Sequence, residues 1–349
     1  NVNKHTKKMD RDISLDAIKL VACIFVCTLH TIGMFMSESS DFHLSYLLFY
    51  MSGIAVPLFF MVNGFLLAPK DGGMKYYYRK IFNIVKIVCV FTFIFDIPKL
   101  VRGDISILIP FKQACSSLFF QGGVFPVFWF LGSLIFIYAL MPFLKKYIIS
   151  IRTRLYGLLL FLSVLQFIIY TCDIYTNYVY SFIFENVYIP QSFRLYSHLM
   201  YFLLGVCLRL YLTDNNMLKN VIGGGKAVLC YIIYILCAAL ICYLLYRNVG
   251  AIEYFQNSII CVLASLSFFL SLRSIVFSGY IGRTIVNLSS CSILVYTIHY
   301  PILSLLYMKT DLFVHTDFSF FAWAGLLLLW FFISYWVYQI PYISSFLRI

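Results

Sequence analysis

Apolar positions in this chain come in long runs, not in the alternation expected of half-buried strands. Ten runs lie near 14–36, 44–68, 81–101, 124–144, 155–172, 193–212, 227–246, 255–273, 284–307 and 318–340, joined by short polar or basic links. An α-helix of about 20 residues crosses the ~30 Å hydrocarbon core of a bilayer. It also satisfies its own backbone there, which no open strand can do. The pattern therefore predicts an all-α, polytopic membrane helix bundle of about ten transmembrane helices, in a single domain over 1–349. The stretch 105–123 is the least regular and fits an interfacial or re-entrant segment. The basic start (Lys4, Lys7, Lys8, Arg11) ahead of an apolar run resembles a signal peptide. The run continues to Met36, however, longer than a signal core, and no small-residue cleavage site follows, so it reads as a retained first helix.

Composition agrees with the pattern. Hydrophobic residues make up 62% and charged residues 11%, whereas a soluble chain is about half apolar and about a quarter charged. The net charge of +12 would suggest nucleic acid in a soluble protein. Here its distribution explains it. With the N-terminus inside, most Lys and Arg fall in inner links, and Lys99, Arg102, Lys112, Arg194, Arg247 and Lys309 are left outside. That bias follows the positive-inside rule and predicts both termini cytoplasmic, with no nucleic-acid partner.

Several chemistries are disfavoured. Nine of the eleven Cys sit inside apolar runs as small packing residues, while Cys115 and Cys172 flank predicted outer links, where they could meet. No C-x-x-C pair or Cys/His cluster has zinc spacing, and no H-E-x-x-H occurs, so no metal site is predicted. A nucleophile elbow is missing. Gly223-Gly224-Gly225-Lys226 is followed by Ala227 and lacks the upstream glycine of a phosphate-binding loop.

The polar residues inside the runs carry the functional signal, because charge in a membrane helix is costly. In the first run Asp16, Lys19, Cys23 and His30 share one face. Lys19 and His30 are eleven residues apart, about three turns and about 16 Å of rise. Asp16 can pair with Lys19 at i+3. Lys19 either snorkels to inner headgroups or serves a site. The ninth run carries Ser292, Tyr296 and His299 at i, i+4 and i+7, and reaches His299 at the depth of His30. Two histidines at one level either hydrogen-bond within the core or frame a reaction centre, since imidazole suits proton transfer near neutral pH. Pro301 just after His299 predicts a kink. Asn63, level with Lys19, is either a packing amide or a site residue, and Gly64 beside it permits close helix approach. Tyr76-Tyr77-Tyr78-Arg79-Lys80 either anchors the inner boundary or holds phosphates and stacks a base. Trp129-Phe130-Leu131-Gly132 is either a belt or a pocket wall.

Taken together these motifs resemble the acyltransferase-3 family of bacterial integral membrane proteins. Arg11-x3-Leu15-Asp16-x2-Lys19, followed by ten residues and then His30, resembles its first-helix motif. Phe59-Phe60-x2-Asn63-Gly64-Phe65 resembles its second, Arg79 falls at its basic cytoplasmic motif, Trp129-Phe130-Leu131 matches W-F-L, and Ser292-x3-Tyr296-x2-His299-x-Pro301 resembles its late motif. Lys19 stands where the family usually has Arg, which keeps the charge and loses bidentate geometry. Asn63 replaces the commoner Ser.

The resemblance implies a multi-pass enzyme of the bacterial plasma membrane with no permanently bound cofactor. It would take acetyl-CoA or another acyl-CoA as co-substrate and acylate a hydroxyl of an extracytoplasmic or lipid-linked glycan, such as capsular or cell-wall polysaccharide. Asp16, Lys19, Asn63, Arg79, Lys80, Trp129 and Ser292 would bind substrate. His30 would act as base or transient acyl acceptor, helped by His299 and Tyr296. Membrane lipids surround it, and a homo-oligomer is compatible with this reading. The alternative is a transporter of a small polar molecule such as an amino acid, as in racemase-linked membrane modules, which a buried Lys–Asp pair and two histidines also suit.

Overall fold

A computed structural model describes residues 11–35, 44–70, 72–214, 224–246, 255–309 and 320–347. Lys4, Lys7, Lys8, Met36, Lys219, Arg247 and Arg348 lie outside the described residues. Every described element is a helix. The chain runs α1 (Ile13–Phe35), α2 (Leu44–Met51), a 3-10 turn, α3 (Ala55–Leu67), α4 (Met74–Val101), α5 (Ile109–Phe119) and α6 (Trp129–Phe143). It continues through α7 (Arg152–Tyr180), α8 (Phe184–Tyr188), α9 (Leu195–Asp214), α10 (Gly224–Tyr246) and α11 (Ile259–Arg273). The last elements are α12 (Gly279–Ser290), α13 (Ser292–Lys309), α14 (Phe320–Tyr338) and α15 (Pro341–Phe346).

Burial sorts these helices into a centre and a rim. Of the apolar window of α1, 67% is buried, against 22% for α7 and α10 and 17% for α14. Thus α1 is a core helix, packed by α3, α11, α12, α13 and α14. The rim helices turn Phe161 and Phe167, Leu236, and Phe321, Leu328 and Phe332 outward, as a lipid solvent requires. The tightest pairing is α3 with α9. A Cβ on Gly64 would fall 1.9 Å from the Phe202 carbonyl oxygen, and one on Gly205 would fall 2.0 Å from that of Met61. Two facing glycines let the backbones touch, so the close approach expected at Gly64 is present.

Two expectations need correction. Each of the ten predicted segments contains a helix, but among the described residues seven helices are long and apolar enough to cross a bilayer, or eight if the bent α12–α13 pair is one span. The α4 helix carries Lys86, Asp96 and Lys99 within its apolar run. The α11 helix has 15 residues, short of the roughly 20 needed. The ninth segment is also not a single rod. A 55° break separates α12 from α13, at Cys291, and α13 runs on through Pro301. The irregular stretch 105–123 contains α5.

The direction of the helices gives the bundle two chemically different ends. One is marked by Asp12 at the head of α1, which pairs with Arg273 at the tail of α11 (2.8 Å). At the same end, Lys145 after α6 donates to the Lys70 carbonyl after α3. His30 lies toward the other end, where the chain enters α6, α9 and α11.

Candidate active site

At the first end Asp16 is the hub. Its buried carboxylate accepts from Arg11 (2.5 Å), from Lys19 (3.5 Å) and from Ser289 of α12 (3.1 Å). The predicted Asp16–Lys19 pair therefore forms, with two further partners that spacing along α1 does not reveal. Arg11 is half exposed and Lys19 about one-third exposed, so these contacts position more than they stabilise.

Arg11, Asp12, Asp16, Lys19, Lys70 and Arg209 line a cavity of about 450 Å³ here. Its floor includes Phe65, whose ring lies 5.1 Å from the Arg209 guanidinium and 5.2 Å from that of Arg273. The lining holds four cations, Arg11, Lys19, Lys70 and Arg209, against two carboxylates, Asp12 and Asp16, so positive charge predominates there.

Lys80 turns toward the rings of Tyr76 and Tyr138 (5.5 and 5.7 Å). Burial first, then the neighbouring charges of Lys19 and Lys70, lowers its pKa below the ordinary lysine value. Arg79 points to the exposed face of α4, so the structure brings Lys80 to Lys19 and leaves Arg79 outside. Asn63 accepts from the Tyr138 hydroxyl (3.0 Å) and donates to its own helix at Phe59 (2.9 Å). Its carbonyl oxygen thus ties α3 to α6.

At the other end the two predicted histidines meet. The rings of His30 and His299 lie 5.3 Å apart, and Tyr300 stands edge-on to His30 at 5.4 Å. Nδ1 of His299 faces the carbonyls of Tyr296 (2.8 Å) and Val295 (3.2 Å). Carbonyls only accept, so Nδ1 carries the proton and Nε2 holds the lone pair. That buried Nε2 has no hydrogen-bond partner among the described residues, an arrangement that suits accepting an N–H from a neighbouring ring.

His30 lines a cavity of about 270 Å³ with Phe59, Trp129, Phe130, Tyr296 and Tyr300. Trp129 is thus a pocket wall. Tyr296 lines the pocket too, but its hydroxyl donates to the Val127 carbonyl and so fixes the entry to α6. Ser292 is buried and bonds back to Leu288 (3.3 Å), while its carbonyl accepts from Cys23 (3.6 Å). It joins α1 to the α12–α13 break and does not line the cavity.

Several residues here were not singled out from the sequence. His198 is buried between Phe60 (4.8 Å) and Trp129 (5.3 Å). Gln121, Gln191 and Gln256 line the cavity mouth. Near them Glu185 takes Arg194 (3.0 Å), Asn257 (2.9 and 3.0 Å) and the Tyr196 hydroxyl. Loop glutamines carry no periodic signal, and Arg194 reads from the sequence only as an outer charge. Cys115 and Cys172 are exposed free thiols. Among the described residues, no three His, Cys, Asp or Glu side chains are grouped to hold a metal ion.

The buried α1 helix thus carries a cation-rich cavity near one end and half of a histidine pair near the other. A profile of the acyltransferase domain family matches residues 12–341, which include both centres. No curated protein and no solved structure matches the chain significantly. The chain belongs to the acyltransferase-3 family and is a multi-pass membrane acyltransferase that transfers groups other than aminoacyl groups.

Proposed function

We propose that this enzyme is an O-acyltransferase of the bacterial plasma membrane that moves an acyl group, acetyl by preference, from cytoplasmic acyl-CoA to a hydroxyl of an extracytoplasmic glycan. The observation that carries this reading is the spacing of the two centres. Lys19 and His30 lie on one face of α1, about 16 Å apart along its axis, a span that an extended pantetheine arm covers. CoA phosphates would meet Arg11, Lys19, Lys70 and Arg209, with Lys80 adding charge from α4. The thioester would then lie beside His30 in the second cavity.

In the chemical step His30 takes the proton of the acceptor hydroxyl as its oxygen attacks the thioester carbonyl. The C–O bond forms, the C–S bond breaks, and the departing thiolate takes the proton from the imidazolium, giving ester and CoA thiol. His299, its tautomer held by two carbonyls, orients His30 and stabilises its charged form. Trp129, Phe130 and Tyr300 exclude water from the thioester.

Purified full chain in nanodiscs with labelled acetyl-CoA and a panel of bacterial glycans tests the reading. Acyl product should form, and His30→Ala should lower the rate about 10²–10⁴-fold at unchanged thermal stability. Full transfer by His30→Ala overturns the assignment. Uptake of label into vesicles without acyl product favours the transporter alternative.

A further inference from the structure

The cavity that holds His30 opens through three short connections: the link before α6, the 3-10 turn Gln191–Phe193 and the turn before α11. Each contributes one glutamine to the lining, Gln121, Gln191 and Gln256. Two of these connections hold a strained backbone. Gln121 has φ +52°, and Phe255, directly before Gln256, has φ +57°. A bulky residue in the left-handed region is a true outlier. Such strain persists only where its surroundings fix it, and it clusters at ligand sites.

The surroundings do fix it. Nε2 of Gln121 donates to Oε1 of Gln191 and joins the first two connections. The Gln256 carbonyl accepts from the buried Tyr201 hydroxyl at 2.6 Å. Among the described residues no Asp, Glu, Lys or Arg lines this cavity, and its one imidazole is His30. In the neighbouring loop, Glu185 and Arg194 pair with each other at 3.0 Å.

We infer that this mouth is a subsite for one uncharged, hydroxyl-rich sugar ring, sorted by Gln121, Gln191 and Gln256. The inference rests on the acyltransferase reading above and narrows its acceptor. A carboxamide offers both donor and acceptor atoms, as a sugar hydroxyl does. After the Gln121–Gln191 bond, Oε1 of Gln121 and Nε2 of Gln191 still supply an acceptor and a donor. Trp129 and Tyr300 give flat walls for the C–H faces of a ring. A cavity of about 270 Å³ sits at the small end of ligand pockets, roughly 300–1,000 Å³, which fits one ring and not a chain. A uronate or phosphate entering it would shed water without meeting a lysine or arginine, a cost that a neutral ring avoids. The subsite thus selects against acidic sugar units at the reacting position.

Direct binding tests this without requiring turnover. Saturation-transfer NMR on the detergent-solubilised His30→Ala chain would use neutral methyl hexosides, their uronate counterparts and glucosamine. Neutral rings should bind, uronates at least tenfold more weakly, and Gln121→Leu or Gln191→Leu should each weaken the neutral ring about tenfold. If the leucine variants unfold, Gln191→Glu, isosteric with the native residue, replaces them: it should weaken neutral rings and uronates and strengthen cationic glucosamine. Equal binding of uronates, wild-type affinity in folded variants, or no sugar binding at all overturns the subsite. Ring binding with no acyl product from the unsubstituted chain overturns the transfer reading alone. Transfer to uronates as efficient as to neutral rings overturns the subsite alone.

Discussion

The facing glycines of α3 and α9 give the most quantitative prediction. Gly64→Ala places a methyl carbon 1.9 Å from the Phe202 carbonyl oxygen. Ordinary C···O contacts lie at ~3.3–3.6 Å, so the helices must part by about 1.5 Å at this point. A gap of even ~0.5–1 Å forfeits a quarter to a half of each dispersion contact beside it. Overpacking a dense core costs about 1–3 kcal/mol. The upper end applies here, because the obstruction is backbone and cannot rotate away. That is about a hundredfold in the folding equilibrium. Gly205→Ala, which meets the Met61 carbonyl at 2.0 Å, should cost as much. The double variant should cost less than the sum, since the first separation makes room for the second methyl. Thermal unfolding of the solubilised full chain measures all three. Wild-type stability in either single variant, or strict additivity in the double, would refute the backbone contact.

Three further outcomes follow from single contacts. Burial and the Lys19 and Lys70 charges favour neutral Lys80, whereas a bound anion favours the cation. Affinity for CoA, measured by titration calorimetry, should therefore fall as pH rises, beginning below the ordinary lysine value of ~10.4; Lys80→Arg, which stays charged, should move the fall to higher pH, and identical profiles would exclude Lys80 from the donor cavity. Glu185→Gln takes a carboxylate from a buried Arg194 whose side chain is 5% exposed and should cost about 3–5 kcal/mol, while Glu185→Leu with Arg194→Met should recover most of that loss in thermal unfolding. Tyr296→Phe deprives the Val127 carbonyl of its donor, so stability should fall by about 1–3 kcal/mol and acyl transfer less than in His30→Ala; equal loss of transfer at wild-type stability would place the hydroxyl at the reacting atoms instead.

What could be read in the chain, and what could not, follows from the range of each interaction. Lys19, Asp16 and His30 were legible because they interrupt an apolar helix at helical spacing, and one helix fixes their mutual geometry without help from the rest of the fold. The His30–His299 meeting needed one more assumption, equal depth on two helices, and the 5.3 Å ring separation satisfies it. Pro301, inside α13, is a visible helix breaker, whereas the break at Cys291 has no local marker. There the buried Cys23 thiol donates to the Ser292 carbonyl, a contact across most of the chain length. Arg209 and Lys70 were readable only as loop and helix-end charges. Their convergence on Lys19 depends on α3 and α9 both running antiparallel to α1.

The glutamines mark the limit of such reading. Three amides in three unrelated connections share no period, and each alone is an ordinary polar residue at a helix entry. Only the α6, α9 and α11 entries, gathered at one end of the bundle, make them a group. The proposed division into a donor end and an acceptor end would explain why the cation-lined end was the legible part. A donor with phosphates must be met by charge, and charge inside a membrane protein stands out in any sequence. A neutral acceptor is met by amides and rings, which the sequence cannot distinguish from ordinary packing until the fold assembles them.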